Sequence, residues 1–117
     1  MPEPVPGALL LERRDDRVVA TLNRPEKRNA IDQRMIDELH ALCEELERDP
    51  RVLILIGAGG VFASGADIGQ LRDRTAQDAR RGINSTAFRR IRSLPMPVIA
   101  AVDGYALGGG AELAYAA

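Results

Sequence analysis

Val98-Ile99-Ala100-Ala101-Val102-Asp103-Gly104-Tyr105-Ala106-Leu107-Gly108-Gly109-Gly110-Ala111-Glu112-Leu113 reads as an apolar strand, a turn, three glycines and the opening of a helix. Three glycines strip the Cβ atoms from a helix N-terminus. A ligand can then reach backbone N–H groups that have no intrahelical partner and that carry the positive end of the helix dipole. Glu112 follows Gly109 by three residues and so shares its helix face. A donor for an oxyanion and an acid/base carboxylate one turn apart are two parts of a site for carbonyl chemistry.

Working back from this stretch, Leu94-Pro95-Met96-Pro97 closes a long helix whose apolar stripe is Ala79, Ile83, Ala87, Phe88, Ile91 and Leu94. Thr75-Ala76-Gln77-Asp78 reads as the capping box that opens it. Val52-Leu53-Ile54-Leu55-Ile56 is apolar at every position, the pattern of a strand buried on both faces. Between these two elements lie a glycine-rich loop, 57–65, and a short helical segment over 67–72. Before them the spacing of Met35, Ile36, Leu39, Leu42, Cys43 and Leu46 predicts an amphipathic helix over 32–48, stopped by Asp49-Pro50. Residues 8–13 and 17–22 form two short strands around the turn at Asp15-Asp16, followed by a polar loop over 23–31. Each helix connects one strand to the next, which suits parallel pairing and an α/β fold. A Pro-rich leader occupies 1–7, and 8–117 is read as one partial domain.

The composition excludes several classes. With 117 residues, 45% hydrophobic and 28% charged, the chain has ordinary globular usage. A net charge of −1 argues against a nucleic-acid or anionic-membrane surface as the main partner. The single cysteine, Cys43, forbids an internal disulfide and is expected in the core; a reducing, cytoplasmic setting fits it. No run approaches membrane-spanning length.

The chemistry concentrates at the two ends of the second crossover. Phe62-Ala63-Ser64-Gly65-Ala66-Asp67-Ile68 places small residues where the chain leaves a strand, as the triple glycine does after the next one. Loops at the carboxyl ends of neighbouring parallel strands open onto one crevice, so the two sets of N–H groups can converge on a single oxygen. Each well-placed donor of such a hole is worth about 3–4 kcal/mol to an enolate or tetrahedral oxyanion. The 57–60 run is no nucleotide-phosphate loop, because no Gly-Lys-Ser/Thr follows it. A serine hydrolase is disfavoured as well, since the only histidine, His40, lies mid-helix with nothing to bring it to Ser64. Arg80, Arg81, Arg89, Arg90 and Arg92 could draw an anionic ligand, and are expected to form a solvated helix face.

Three segments together carry a resemblance: Thr21-Leu22-Asn23-Arg24-Pro25-Glu26-Lys27-Arg28-Asn29-Ala30-Ile31, then Gly57-Ala58-Gly59-Gly60-Val61-Phe62-Ala63-Ser64-Gly65-Ala66-Asp67, then Ala101 to Leu113. In their order and spacing they resemble the enoyl-CoA hydratase/isomerase (crotonase) superfamily. The resemblance implies a crotonase-like spiral of ββα turns, cut before the end of its core and its C-terminal helices. It implies acyl-CoA thioester binding, with the N–H groups of Ala66 and Gly109 as the oxyanion hole. Arg28, Ala30, Ala63, Ala66, Asp67, Ile68 and Gly109 would border the CoA groove, although Asp67 is equally read as a helix cap. Trimers or pairs of trimers are typical of the family.

Glu112 stands where hydratases of this family keep the first of two catalytic glutamates. The implied reaction adds water across a trans-2-enoyl-CoA in fatty-acid metabolism, without metal or any cofactor beyond the CoA of the substrate. The second glutamate would belong to a segment beyond Ala117. Two other expectations stand beside this one: isomerase chemistry, and a truncated relative that at most binds acyl-CoA.

Overall fold

The computed structural model describes residues 7–65 and 74–117, and of residues 74–81 the backbone. The chain runs β1 (Leu9–Arg13), β2 (Arg17–Leu22), α1 (Gln33–Arg48), β3 (Val52–Gly57), α2 (Arg74–Arg92), β4 (Val98–Ala100) and α3 (Gly109–Ala116), with short 3-10 turns at Pro25–Lys27 and Ala58–Gly60. The strands form one sheet in the order β1-β2-β3-β4. β1 and β2 pair antiparallel through the turn at Asp15-Asp16, which Arg14 closes by donating its N–H to the Arg17 carbonyl at 2.8 Å. The pairs β2–β3 and β3–β4 are parallel, as the helical crossovers require.

Register explains the core. Val18 stands opposite Leu53 and Ala20 opposite Leu55, and Leu53 and Leu55 in turn face Val98 and Ala100. Side chains at these alternate positions share one face of the sheet. That face is packed: Val18, Ala20, Leu22, Leu53 and Leu55 are fully buried. α1 lays Met35, Ile36, Leu39, Leu42, Cys43 and Leu46 into the same core, as its spacing predicts. Each large apolar side chain buried in this way stabilises the fold by about 1.5–3 kcal/mol. Asp32 caps α1 by accepting the Met35 N–H at 2.9 Å.

Four expectations need correction. β3 is not covered on both faces: Leu53 and Leu55 are buried, whereas Val52, Ile54 and Ile56 on the other face are half-buried, and their neighbour Ile99 on β4 is 51% exposed. An all-apolar run does not say which of its faces is covered. β4 ends at Ala100 rather than Val102, although the Ala101 N–H still donates to Leu55 at 2.9 Å. α2 begins at Arg74, so Thr75 lies inside the helix and is not its cap. Ile83 does not join the buried stripe; Asn84 takes the inward place with Ala87, Phe88 and Ile91, and its Oδ1 has no partner among the described residues. The expected helical segment over 67–72 lies outside the described residues.

One further side chain sits differently from expectation: Arg90 is not an independent solvated group. Arg90 crosses from α2 to α1, donating to Glu47 at 2.7 and 3.0 Å and lying 3.2 Å from His40 Nδ1. Beneath this pair Cys43 is the core residue expected, and burial pushes its thiol up to about 11, against a smaller opposing effect of Arg90.

Candidate active site

α3 follows the loop after β4, and its first turn is packed against the loop after β3. Phe62 donates its N–H to the Tyr105 carbonyl at 3.1 Å, and Leu107 donates to Ala63 at 3.0 Å. Ala63 and Ala106 form a parallel bridge. The two loops thus run side by side as an extension of the parallel sheet, and they bring Gly65 against the start of α3. Gly65 has φ +100°, and a Cβ there would stand 3.0 Å from the Leu107 carbonyl oxygen and 3.5 Å from the Gly109 nitrogen. Only glycine combines that backbone angle with that approach.

The glycines of the triple run do different jobs. Gly109 is the first residue of α3, and its N–H has no acceptor among the described residues, whereas the next N–H, of Gly110, is taken by Leu107 at 2.8 Å. Gly110 is buried, and a Cβ on it would collide with the Ala63 carbonyl. Its glycine serves packing rather than ligand access. Glu112, in the first turn of α3, is exposed, and its carboxylate has no hydrogen bond or ion pair among the described residues. This N–H and this carboxylate therefore lie one turn apart on one helix face.

A third loop is tied to the same corner. Ile31 donates its N–H to the Gly65 carbonyl at 2.6 Å, Ser64 donates its N–H to Arg28 at 3.0 Å, and the Ser64 hydroxyl donates to the Lys27 carbonyl at 3.3 Å. Asn29 locks the arrangement from inside. It is fully buried, its amide donates to the carbonyls of Ala58 and Val61, both at 2.9 Å, and its Oδ1 accepts the Arg24 N–H at 2.8 Å. Arg28 and Asn29 both adopt the left-handed conformation, φ 51° and 56°. Asparagine takes that region more readily than most residues, a signal present in the sequence without its partners. Arg24 adds a guanidinium bond to the Ala30 carbonyl at 2.5 Å and lies 3.4 Å from Asp32, which caps α1.

The expected site residues are thus placed as follows. Gly109, half-buried, and Glu112, exposed, share the first turn of α3, Arg28 is exposed on the neighbouring loop, and Ala30 and Ala63 are buried. Ala66, Asp67 and Ile68 lie outside the described residues. Asn29 and Arg24 hold the corner together, and reading the residues alone assigned neither a role. Strong ion pairing lies elsewhere: Glu45 on α1 takes Arg13 at 2.9 Å and Arg51 at 2.6 Å. These partners hold the Glu45 carboxyl below its ordinary range, the Arg13 hydrogen bond most of all. Among the described residues no group of His, Cys, Asp and Glu is suited to a metal ion, and no helix is long and apolar enough to cross a membrane.

The chain also has relatives among known proteins and solved structures. The short-chain-enoyl-CoA hydratase of Clostridium acetobutylicum is 41% identical over 111 residues, which cover 91% of this chain and 42% of its own length. Among solved structures, an enoyl-CoA hydratase/isomerase from Xanthobacter autotrophicus superposes with a TM-score of 0.83 at 36% identity, covering 92% of this chain and 43% of that one. The enoyl-CoA hydratase of Bacillus anthracis gives 0.86 at 31% identity, covering 92% and 44%. The chain spans less than half the length of these relatives. The sheet with its two helical crossovers is the corresponding part of their fold. The enoyl-CoA hydratase/isomerase family model matches residues 14–117, and with the fold and all three motifs in agreement the chain belongs to that family.

Proposed function

We propose that this chain supplies the oxyanion-binding half of an enoyl-CoA hydratase site, with Glu112 as the carboxylate that handles the attacking water. The observation that carries the reading is the pairing of the Gly109 N–H with the Glu112 carboxylate one helical turn away, neither of which has a partner among the described residues. In the proposed reaction the Gly109 N–H, joined by that of Ala66, polarises the thioester carbonyl. Water adds at C3 of a trans-2-enoyl-CoA while electron density moves through an enolate-like state on the thioester oxygen, where the two donors oppose the developing charge. Glu112 orients that water or takes its proton, and C2 is protonated to complete the addition. Arg28, Ala30, Ala63, Asp67 and Ile68 border the CoA groove in this reading, supported by the bonds that tie the 28–31 loop to Ser64 and Gly65.

The test is hydration of crotonoyl-CoA by the polypeptide as its gene encodes it, followed by loss of the enoyl thioester's ultraviolet absorbance. Glu112→Gln is expected to lower kcat by roughly 10²-fold or more, the usual scale for a positioned acid/base group. An unchanged rate in that variant removes Glu112 from the reaction. Acyl-CoA binding without turnover by the unaltered protein would favour the binding-only reading, and double-bond migration without hydration the isomerase one.

A further inference from the structure

Next to Glu112 the surface opens into a cleft of about 370 Å³ between α2 and α3, lined by Ser85, Phe88, Arg89, Arg92, Glu112 and Tyr115. The lining follows from helix geometry. Positions 85, 88, 89 and 92 form one stripe of α2, and 112 and 115 are neighbours one turn apart on α3. Phe88 is buried and makes the floor, while both arginines are exposed above it. On the same helix Arg90 is neutralised by Glu47. Arg89 and Arg92, by contrast, have no ion pair or side-chain hydrogen bond among the described residues, not even with Glu112 across the cleft.

We propose that this cleft receives the far end of the acyl group and that Arg89 and Arg92 bind a carboxylate there, making the preferred substrate class short dicarboxylic acyl-CoA thioesters. The inference rests on the hydratase reading, because that reading fixes the direction of the substrate. With the thioester oxygen at Gly109 and C3 beside Glu112, the acyl chain runs along α3 toward Tyr115 and into the cleft. An aliphatic end would offer the two guanidinium groups no partner. A terminal carboxylate pairs with their planar forks and balances the two positive charges against its own and that of Glu112.

Two saturated ligands that differ only at the acyl end test this without turnover: glutaryl-CoA and butyryl-CoA, titrated calorimetrically into the polypeptide as its gene encodes it, beside free CoA. Glutaryl-CoA is expected to bind about tenfold or more tightly than butyryl-CoA, the scale of one hydrogen-bonded charge pair. The double substitution Arg89→Gln and Arg92→Gln is expected to bring that ratio toward one. Single substitutions, each expected to lose part of the preference, keep the test open should the double variant misfold. Equal binding of the two thioesters by the unaltered protein overturns this proposal alone. A ratio that survives the double substitution also overturns it, as does an equal weakening of all three ligands, which would place the arginines at the CoA phosphates. Failure to bind either thioester overturns the acyl-CoA reading and this proposal with it.

Discussion

Gly110 on α3 lies so close to Ala63 that a Cβ on the glycine would collide with the alanine's carbonyl oxygen and stand 2.8 Å from its carbonyl carbon and Cβ. This contact sets the distance between the start of α3 and the loop after β3, and so the position of the Gly109 N–H relative to Gly65. Gly110→Ala is therefore expected to cost about 1–3 kcal/mol through overpacking, in spite of alanine's better helix propensity. It should also push α3 outward and weaken thioester binding. Urea unfolding and calorimetric titration of butyryl-CoA check both. Ala111→Gly serves as the comparison, because it is expected to cost up to about 1 kcal/mol of helix stability without moving α3. Thioester binding weakened to the same degree in both variants would mean that the Gly110–Ala63 contact does not set the site.

A second prediction concerns Asn29. Its side chain satisfies the carbonyls of Ala58 and Val61 and the Arg24 N–H from a fully buried position, at φ 56°. Removing it leaves three part-buried polar groups without their partner. Asn29→Ala is expected to destabilise the fold by about 2–4 kcal/mol in urea unfolding. Asn29→Gly accepts the left-handed backbone but restores none of the bonds. It should recover only a minor share of the loss. Full recovery by glycine would assign the cost to backbone strain rather than to the hydrogen bonds.

Asn29 also shows where sequence reading stops. α1 was legible because Met35, Ile36, Leu39, Leu42, Cys43 and Leu46 recur at a spacing that any helix must obey, and all six are buried. The parallel sheet followed from two helices lying between strands. β3 offered no such discrimination: five apolar residues in a row fit either face, and what covers a face is a tertiary fact. α2 is polar enough that the stripe through Ile83 competes with the one through Asn84, and only packing against α1 and α3 decides. That Gly109 and Glu112 of the candidate site lie on one helical turn could be read from three residues of spacing. Its framework could not, because Asn29 bonds to residues 29 and 32 positions away; nor could the brace between α1 and α2, in which Arg90 bonds to a residue 43 positions away.

The last prediction is a pH dependence that comes from outside the site. Glu45 is held by Arg13 through Nε and Nη2 and by Arg51 through Nη2, so that one carboxylate on α1 fastens the end of β1 and the residue before β3. These bonds favour the ionised form and lower its pKa from the ordinary 4.5. The unfolded chain then takes up a proton before the folded one does as the medium is acidified, and stability falls where the unfolded state binds more protons. The contribution of Glu45 is accordingly complete above about pH 5 and declines as pH drops through 4.5 and below. Glu45→Gln is expected to lower stability by about 1 kcal/mol at pH 7, the scale of a partly exposed ion pair with good geometry. It should also flatten the acid side of the profile. Urea midpoints measured from pH 3 to pH 7 for both proteins read this directly. Curves that stay parallel throughout would show that the Glu45 cluster does not contribute to the acid sensitivity of the fold.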